Sequence, residues 1–156
     1  PDAMTLAKSL CAGIAGGGLL AKPELAEHLR PGMHASTFGG NPVAAAAGVA
    51  AINMIEEQQL LPRVEQSAAT FRSRLESLQQ QCDAVREVRV LGMMIGIELA
   101  IDGGPVVQAC LDRQLLVNCT QGRVIRLLPA MNITDAEIAE GCDKLADAIL
   151  DVAGCQ

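Results

Sequence analysis

The chain has 156 residues, of which 50% are apolar and 19% are charged, so it can build a buried core and does not belong to the disordered class. Its 12 Lys and Arg against 18 Asp and Glu give a formal net charge of -6, which argues against a nucleic-acid-binding surface. The aromatic residues are Phe38 and Phe71, with no Trp or Tyr, so the core must be aliphatic.

The first sixty residues contain a glycine-rich loop followed by a helix. Four glycines lie between positions 13 and 18, where the backbone must turn tightly or approach another segment closely. Asn41 is a favourable N-cap and Pro42 a favourable first helical residue. The run that follows is apolar on nearly every face, so the sequence predicts a largely buried helix from Pro42 to about Leu60.

A long amphipathic helix is predicted after Pro62, because apolar residues recur at helical spacing with Arg, Glu and Gln between them. The composition shifts near position 82, where extended patterns begin. Residues Val85–Val90 and Met93–Leu99 flank the turn residue Gly92 and predict an antiparallel pair of strands.

The remaining residues predict a compact α+β unit. Three elements are expected next: a helix from Gly104 to about Arg113, a strand Leu115–Cys119 and a strand Val124–Leu128. Thr134 and Glu137 then form a capping box at the start of a last helix with one apolar stripe.

The cysteine usage predicts neither a metal site nor a disulfide framework. No C-x-x-C pair occurs, and only two His are present. We expect mostly buried free thiols and a reducing, cytoplasmic location. The longest low-polarity stretch, from Pro42 to Ile55, is shorter than the roughly 20 residues that span a bilayer, so no contact with a membrane is predicted. The chain begins with Pro1 rather than Met, and we expect a fragment.

Two segments of the first half are candidates for chemistry. Lys8 lies among apolar neighbours just ahead of the glycine loop, where a desolvated amine would be a nucleophile toward carbonyl groups; a solvated lysine at the end of an element is the alternative. Ser36 and Thr37 precede the helix that begins at Pro42, and phosphate is stabilised at a helix N-terminus. A plain turn with an N-cap is the alternative there.

Arg126 interrupts an apolar strand in the second half. A guanidinium at that point would grip a carboxylate bidentately, and the alternative is a solvent-facing charge on an edge strand. Glu98 is also an isolated charge in an apolar strand, and we interpret it as structural, paired with Arg89 across the hairpin.

Four segments, taken together and in this order, carry a recognisable set of motifs: Pro1–Lys8, Gly32–Pro42, Gly92–Leu99 and Val124–Pro129. They resemble the class III, pyridoxal-phosphate-dependent aminotransferases, and the resemblance covers essentially the whole chain. The Gly-Gly-Asn-Pro sequence ending at Pro42 and the segment Val117–Thr120 are most similar to acetylornithine aminotransferases.

The resemblance implies an α/β fold of the aspartate aminotransferase type (fold type I). Residues 1–60 would be the C-terminal part of the large cofactor domain with the start of the connecting helix, and residues 61–156 the rest of that helix with the small α+β domain. Lys8 matches the lysine that binds the aldehyde of pyridoxal phosphate and moves a proton. Thr37, with Ser36 assisting, matches the residue that reaches the cofactor phosphate of the other subunit in a homodimer. Arg126 matches the arginine that binds the α-carboxylate of glutamate or 2-oxoglutarate.

The implied reaction moves the terminal amino group of N-acetylornithine to 2-oxoglutarate. Ornithine or 4-aminobutyrate as the donor, and a non-catalytic folded or dimerisation fragment, are the alternatives. The family's phosphate loop, ring-stacking aromatic and pyridine-nitrogen aspartate precede this lysine, so the chain alone is expected to be inactive. Ile14–Gly16 departs from the family, whose members commonly have a proline in this segment.

Overall fold

The computed structural model describes residues 1–155. The chain divides into two compact units, Pro1–Gln59 and Leu60–Gln156, and each unit is described by itself. Within residues 1–155, no helix is long and apolar enough to cross a membrane.

The first unit consists of a small hairpin and two helices. Its elements are β1 (Ala3–Leu6), a short 3-10 helix (Lys8–Cys11), β2 (Gly18–Ala21), α1 (Pro23–Ala26) and α2 (Pro42–Glu57). β1 and β2 pair antiparallel, from Ala3 opposite Ala21 to Leu6 opposite Gly18. The sequence pattern predicted only a glycine-rich loop here, because the two strands are four residues long and mostly exposed.

Helix α2 begins where the sequence predicts. The side-chain Oδ1 of Asn41 accepts a hydrogen bond from the Val43 N–H at 2.9 Å, and Pro42 is the first helical residue. The helix ends at Glu57, before the predicted end, because Gln59 adopts a left-handed conformation with φ 51°.

The prediction that this helix is largely buried is wrong for the described chain. Only Ala44 and Gly48 of α2 are buried, whereas Val49 is 60% and Ile52 is 48% exposed. The first unit contains too few other elements to cover an all-round apolar helix, so much of the α2 surface lies open.

The second unit is a four-stranded sheet with three helices. Its elements are α3 (Leu60–Gln81), β3 (Val85–Leu91), β4 (Met94–Leu99), α4 (Gly104–Asp112), β5 (Asn118–Thr120), β6 (Val124–Leu127) and α5 (Asp135–Ala153). The strand order is β3-β4-β6-β5, and all neighbours are antiparallel. β4 and β6 are therefore the interior strands, and the predicted antiparallel pair around Gly92 is confirmed.

The core of the second unit lies between one face of the sheet and the helices. The largest side chains with no more than 1% exposure are Leu75, Ile95, Ile97, Leu99, Val106, Ile125, Ile138, Leu145 and Ile149. Because successive residues of a strand face opposite sides, the residues that alternate with Ile95, Ile97 and Ile125 lie on the other face, which carries the polar side chains.

Helix α5 carries the predicted capping box. The Thr134 hydroxyl accepts from the Glu137 N–H at 3.2 Å, and the Glu137 carboxylate accepts from the Thr134 N–H at 2.8 Å. The Thr134 N–H and the Thr134 hydroxyl, which donates to the same carboxylate oxygen at 2.7 Å, stabilise the charged carboxylate and lower the pKa of Glu137. The box satisfies two N–H groups that the helix start would otherwise leave open.

The cysteines only partly follow the prediction. Cys11, Cys110 and Cys142 are buried free thiols, and Cys119 is half-buried. Cys82 and Cys155 form a disulfide with their Cα atoms 5.9 Å apart, a pairing that the sequence analysis did not anticipate. It joins the residue after α3 to the chain just beyond α5.

Candidate functional site

Lys8 is the first residue of the 3-10 helix between β1 and β2. Its backbone has φ 57°, a conformation that non-glycine residues rarely adopt. The side chain is exposed, and within residues 1–155 it forms no salt bridge. The described residues therefore present a free amine but do not supply the apolar enclosure that the sequence suggested.

Cys11 holds the lysine turn against α2. The thiol is 5% exposed, and a Cβ added to Gly48 of α2 would lie 3.5 Å from its sulfur. A Cβ added to Gly16 would lie only 2.5 Å from the same sulfur. Gly16 is thus required by the close approach of the Cys11 side chain.

Ser36 and Thr37 lie in the turn that leads into α2. The Gly39 N–H donates to the Ser36 carbonyl at 3.2 Å, and both hydroxyl residues are exposed. Because Asn41 accepts the hydrogen bond of the Val43 N–H and Pro42 has no N–H, this helix start has fewer free donors than an uncapped one. The two exposed hydroxyls remain as possible hydrogen-bond donors in this turn.

Arg126 lies on the interior strand β6, so the edge strand of the alternative interpretation is wrong, although the side chain faces solvent as that alternative expected. Its partners are Gly96 on β4 and Asn118 on β5. The Arg126 Nε donates a hydrogen bond to Asn118 Oδ1 at 3.3 Å. The side chain is exposed, and no carboxylate within residues 1–155 forms a salt bridge with it.

Arg89 and Glu98 form the ion pair that the sequence predicts, with Arg89 Nη1 at 2.9 Å from Glu98 Oε2. Glu87 contacts the same guanidinium nitrogen. The hydrogen bond to Glu98, with the charges of both carboxylates, raises the pKa of Arg89. The two acids on this face of the hairpin are therefore engaged by Arg89, and Glu98 is structural as expected.

The structure assigns the candidate residues to different units. Lys8, Ser36 and Thr37 lie in the first unit, and Arg126 lies in the second. The sequence analysis missed Asn118 as the partner of Arg126. The observed loop of three residues, 121–123, places Asn118 opposite Arg126, whereas a two-residue turn at Gln121-Gly122 would place it opposite Ile125, so the pairing follows from the strand register.

The described side chains are compatible with the groups of pyridoxal phosphate. Lys8 offers an amine that no acidic side chain within residues 1–155 engages, which suits an aldehyde. Ser36 and Thr37 offer exposed hydroxyls, which suit a phosphate. Phe71 is 4% exposed and packs in the core, so it is not available to stack on a cofactor ring.

Comparisons with known proteins agree with the motifs. The family model "Aminotransferase class-III" matches residues 1–149. An acetylornithine aminotransferase of Methanothermobacter thermautotrophicus is 40% identical over 152 residues, covering 97% of this chain and 39% of that protein. An acetylornithine aminotransferase of Nitrosomonas europaea is 43% identical over 141 residues, which cover 88% of this chain and 35% of that protein.

Solved structures show the same fold. An ornithine aminotransferase of Toxoplasma gondii superposes with a TM-score of 0.92 at 33% identity, covering 97% of this chain and 37% of that one. An acetylornithine aminotransferase of Elizabethkingia anophelis superposes with a TM-score of 0.90 at 30% identity, covering 97% of this chain and 41% of that one. The expected fold-type I architecture is confirmed.

The chain spans about two fifths of the length of the curated relatives it matches. The family match, in contrast, extends over nearly all of the chain itself. On that evidence the chain belongs to the class III aminotransferases, the pyridoxal-phosphate-dependent family that its four motifs resemble.

Proposed function

We propose that this chain acts as the C-terminal part of a homodimeric acetylornithine aminotransferase, which moves the terminal amino group of N-acetylornithine to 2-oxoglutarate. The names of its curated relatives support this donor, since those at 36–43% identity are acetylornithine aminotransferases. The amino-acid and 2-oxo-acid substrates both carry a carboxylate, which requires a fixed cation in the site.

The proposal rests on the hydrogen-bond and salt-bridge partners of Arg126. It lies on an interior strand, hydrogen-bonded by Asn118 through Nε, and no acidic side chain in the described residues pairs with it. Arg89 on the same sheet face is held by Glu87 and Glu98. An arginine that binds a substrate carboxylate must keep its terminal nitrogens free, and Arg126 meets this requirement whereas Arg89 does not.

Each proposed residue has a definite task in this reaction. Pyridoxal phosphate, when bound, supplies the electron sink that stabilises a substrate carbanion. The Nζ of Lys8 would hold the cofactor through its aldehyde carbon, whose oxygen leaves as water, and as a free amine it would carry the proton to and from the substrate carbon. Thr37, with Ser36, donates hydroxyl hydrogen bonds to the cofactor phosphate of the partner subunit. Arg126 orients the substrate by its α-carboxylate.

We propose further that the 156-residue chain does not catalyse the reaction alone. The family resemblance assigns the ring-stacking aromatic residue to the sequence before Lys8, and Phe71, buried in the core, is not available to replace it. The stacking residue and the acid that pairs with the cofactor nitrogen are assigned to the remainder of a full-length protein.

The test is a transamination assay on the full-length protein that carries this sequence. Three donors are compared at equal concentration with 2-oxoglutarate, namely N-acetylornithine, ornithine and 4-aminobutyrate. We expect the highest kcat/KM with N-acetylornithine, and loss of nearly all turnover in Lys8→Ala with the fold retained. A higher kcat/KM with either other donor would contradict the assigned donor.

Ornithine is the second candidate donor, because the Toxoplasma gondii ornithine aminotransferase superposes with a TM-score of 0.92. The same assay separates the two, since only one of these donors carries an acetyl group on its α-nitrogen. No turnover with any of the three donors would favour a non-catalytic, dimerisation role.

A further inference from the structure

One row of residues crosses the polar face of the sheet. Arg89 on β3 is opposite Gly96 on β4, Gly96 is opposite Arg126 on β6, and Arg126 is opposite Asn118 on β5. Directly paired residues of neighbouring strands project from the same face. The row therefore places two arginines on either side of a glycine, with Asn118 at the far edge.

Of these two arginines, only Arg126 is held by a neutral side chain. Asn118 Oδ1 accepts the Nε hydrogen of Arg126 at 3.3 Å, so this bond orients the guanidinium plane without neutralising its charge. The two terminal nitrogens are left free to face a carboxylate. An aspartate at position 118 would orient the group as well but would compete with a bound anion.

Gly96 leaves the other side of Arg126 open. A Cβ added there would meet Val124 Cγ1 at 3.5 Å and Arg89 Nε at 3.9 Å, which are ordinary contacts. A larger residue at position 96 would therefore not clash with the sheet. Its effect is to keep the row between the two guanidinium groups free of a larger side chain.

We propose that Asn118 is a positioning residue for substrate binding. It fixes Arg126 through Nε, so that the substrate carboxylate binds end-on to Nη1 and Nη2 over Gly96. This inference rests on the proposed role of Arg126 and adds to it the residue that sets the geometry and polarity of the carboxylate site.

The test is a double-mutant cycle in the full-length protein that carries this sequence. Asn118→Ala is made alone and together with Arg126→Ala, and the KM for 2-oxoglutarate is measured with kcat. Inhibition by glutarate, a dicarboxylate without the reactive oxo group, gives a second measure of carboxylate binding. Thr120→Ala is the matched control, because Thr120 lies on the same strand opposite Val124 and not opposite Arg126.

The inference predicts a rise in KM for Asn118→Ala of roughly three- to tenfold, the effect of one hydrogen bond. The inhibition constant of glutarate rises in parallel, while kcat stays within about twofold, because uniform binding is lost. Asn118→Asp raises KM further than Asn118→Ala. In the Arg126→Ala background, whose KM is raised on the order of a hundredfold, Asn118→Ala adds nothing.

Two outcomes overturn the inference and are distinguishable. In the first, Arg126→Ala raises KM strongly, but Asn118→Ala leaves KM unchanged or changes it equally with and without Arg126. Asn118 then does not act through Arg126, although the proposed role of Arg126 stands. If Arg126→Ala changes neither KM nor glutarate inhibition, the carboxylate role of Arg126 fails, and the role of Asn118 fails with it.

Discussion

Glu98 on β4 and Arg89 on β3 are diagonal neighbours on one face of the sheet, with Glu98 Oε2 at 2.9 Å from Arg89 Nη1. One strand further on, Arg126 has no such partner among the described residues. Both arginines lie on one sheet face, so their solvent exposure alone does not distinguish them. What separates them is that Arg89 binds carboxylates of the described chain and Arg126 does not, which supports the proposed role of Arg126 in binding a substrate carboxylate.

Arg126→Lys tests whether the forked shape of the guanidinium is used. The substitution keeps the positive charge but removes the bidentate geometry. We expect the apparent affinity for 2-oxoglutarate to fall by roughly tenfold or more, with cofactor affinity nearly unchanged, as measured by KM and by equilibrium titration with pyridoxal phosphate. An equal fall in both affinities would make Arg126 a structural residue.

Gly16→Ala tests the close packing beneath the lysine turn. The new Cβ would lie 2.5 Å from the Cys11 sulfur, so we expect a loss of about 1–3 kcal/mol by overpacking, measured by thermal unfolding of the full-length protein. Cys11→Ala should relieve the clash in the double variant. Gly18→Ala is the control, since its Cβ meets only Leu10 at 3.9 Å; equal losses at both glycines would refute the packing account.

Ile97→Ala tests where the core of the second unit lies. Ile97 is 0% exposed at the centre of β4, and removing its buried methyl groups should cost about 2–5 kcal/mol in the free energy of unfolding. Met94→Ala on the same strand, where the side chain is 57% exposed, should cost far less. Urea denaturation of the chain measures both, and similar losses would show that β4 is not packed as described.

Glu137→Gln tests the capping box through its pH dependence. The pKa of Glu137 is lowered in the folded state from the ordinary 4.5, so the folded protein binds this proton less readily than the unfolded chain. The resulting stabilisation is fully present above pH 4.5 and is lost as the pH falls through the lowered value. Glu137→Gln should therefore reduce the free energy of unfolding at pH 7 and make that free energy fall less steeply below pH 4.5. Urea titration at each pH measures it. If the variant lost stability below pH 4.5 as steeply as the unchanged protein, the capping box would not contribute as described.

Local sequence signals predicted the elements whose ends depend on their own residues. Asn41-Pro42 marks the start of α2, Thr134 with Glu137 marks the start of α5, and Gly92 marks the first hairpin turn of the second unit. Each works through hydrogen bonds or backbone angles within a few residues. Such signals do not depend on the rest of the fold, which is why the structure confirms them.

The errors came from features that depend on distant parts of the chain. The apolar pattern of α2 does not show which other elements cover the helix. Whether Arg126 lies on an edge strand depends on the strand order, which no local pattern contains. Cys82 and Cys155 are separated by 73 residues, so their pairing depends on how α3 and α5 pack. The same holds for Asn118, which became part of the candidate site only through strand register.

The most direct test of the account is where pyridoxal phosphate attaches. The full-length protein is incubated with the cofactor, reduced with borohydride, digested and mapped by mass spectrometry, with Lys8→Ala as the control. The account predicts a phosphopyridoxyl label on Lys8 at near-stoichiometric yield, absent in the control. Label spread over other lysines with no enrichment at Lys8 would contradict it.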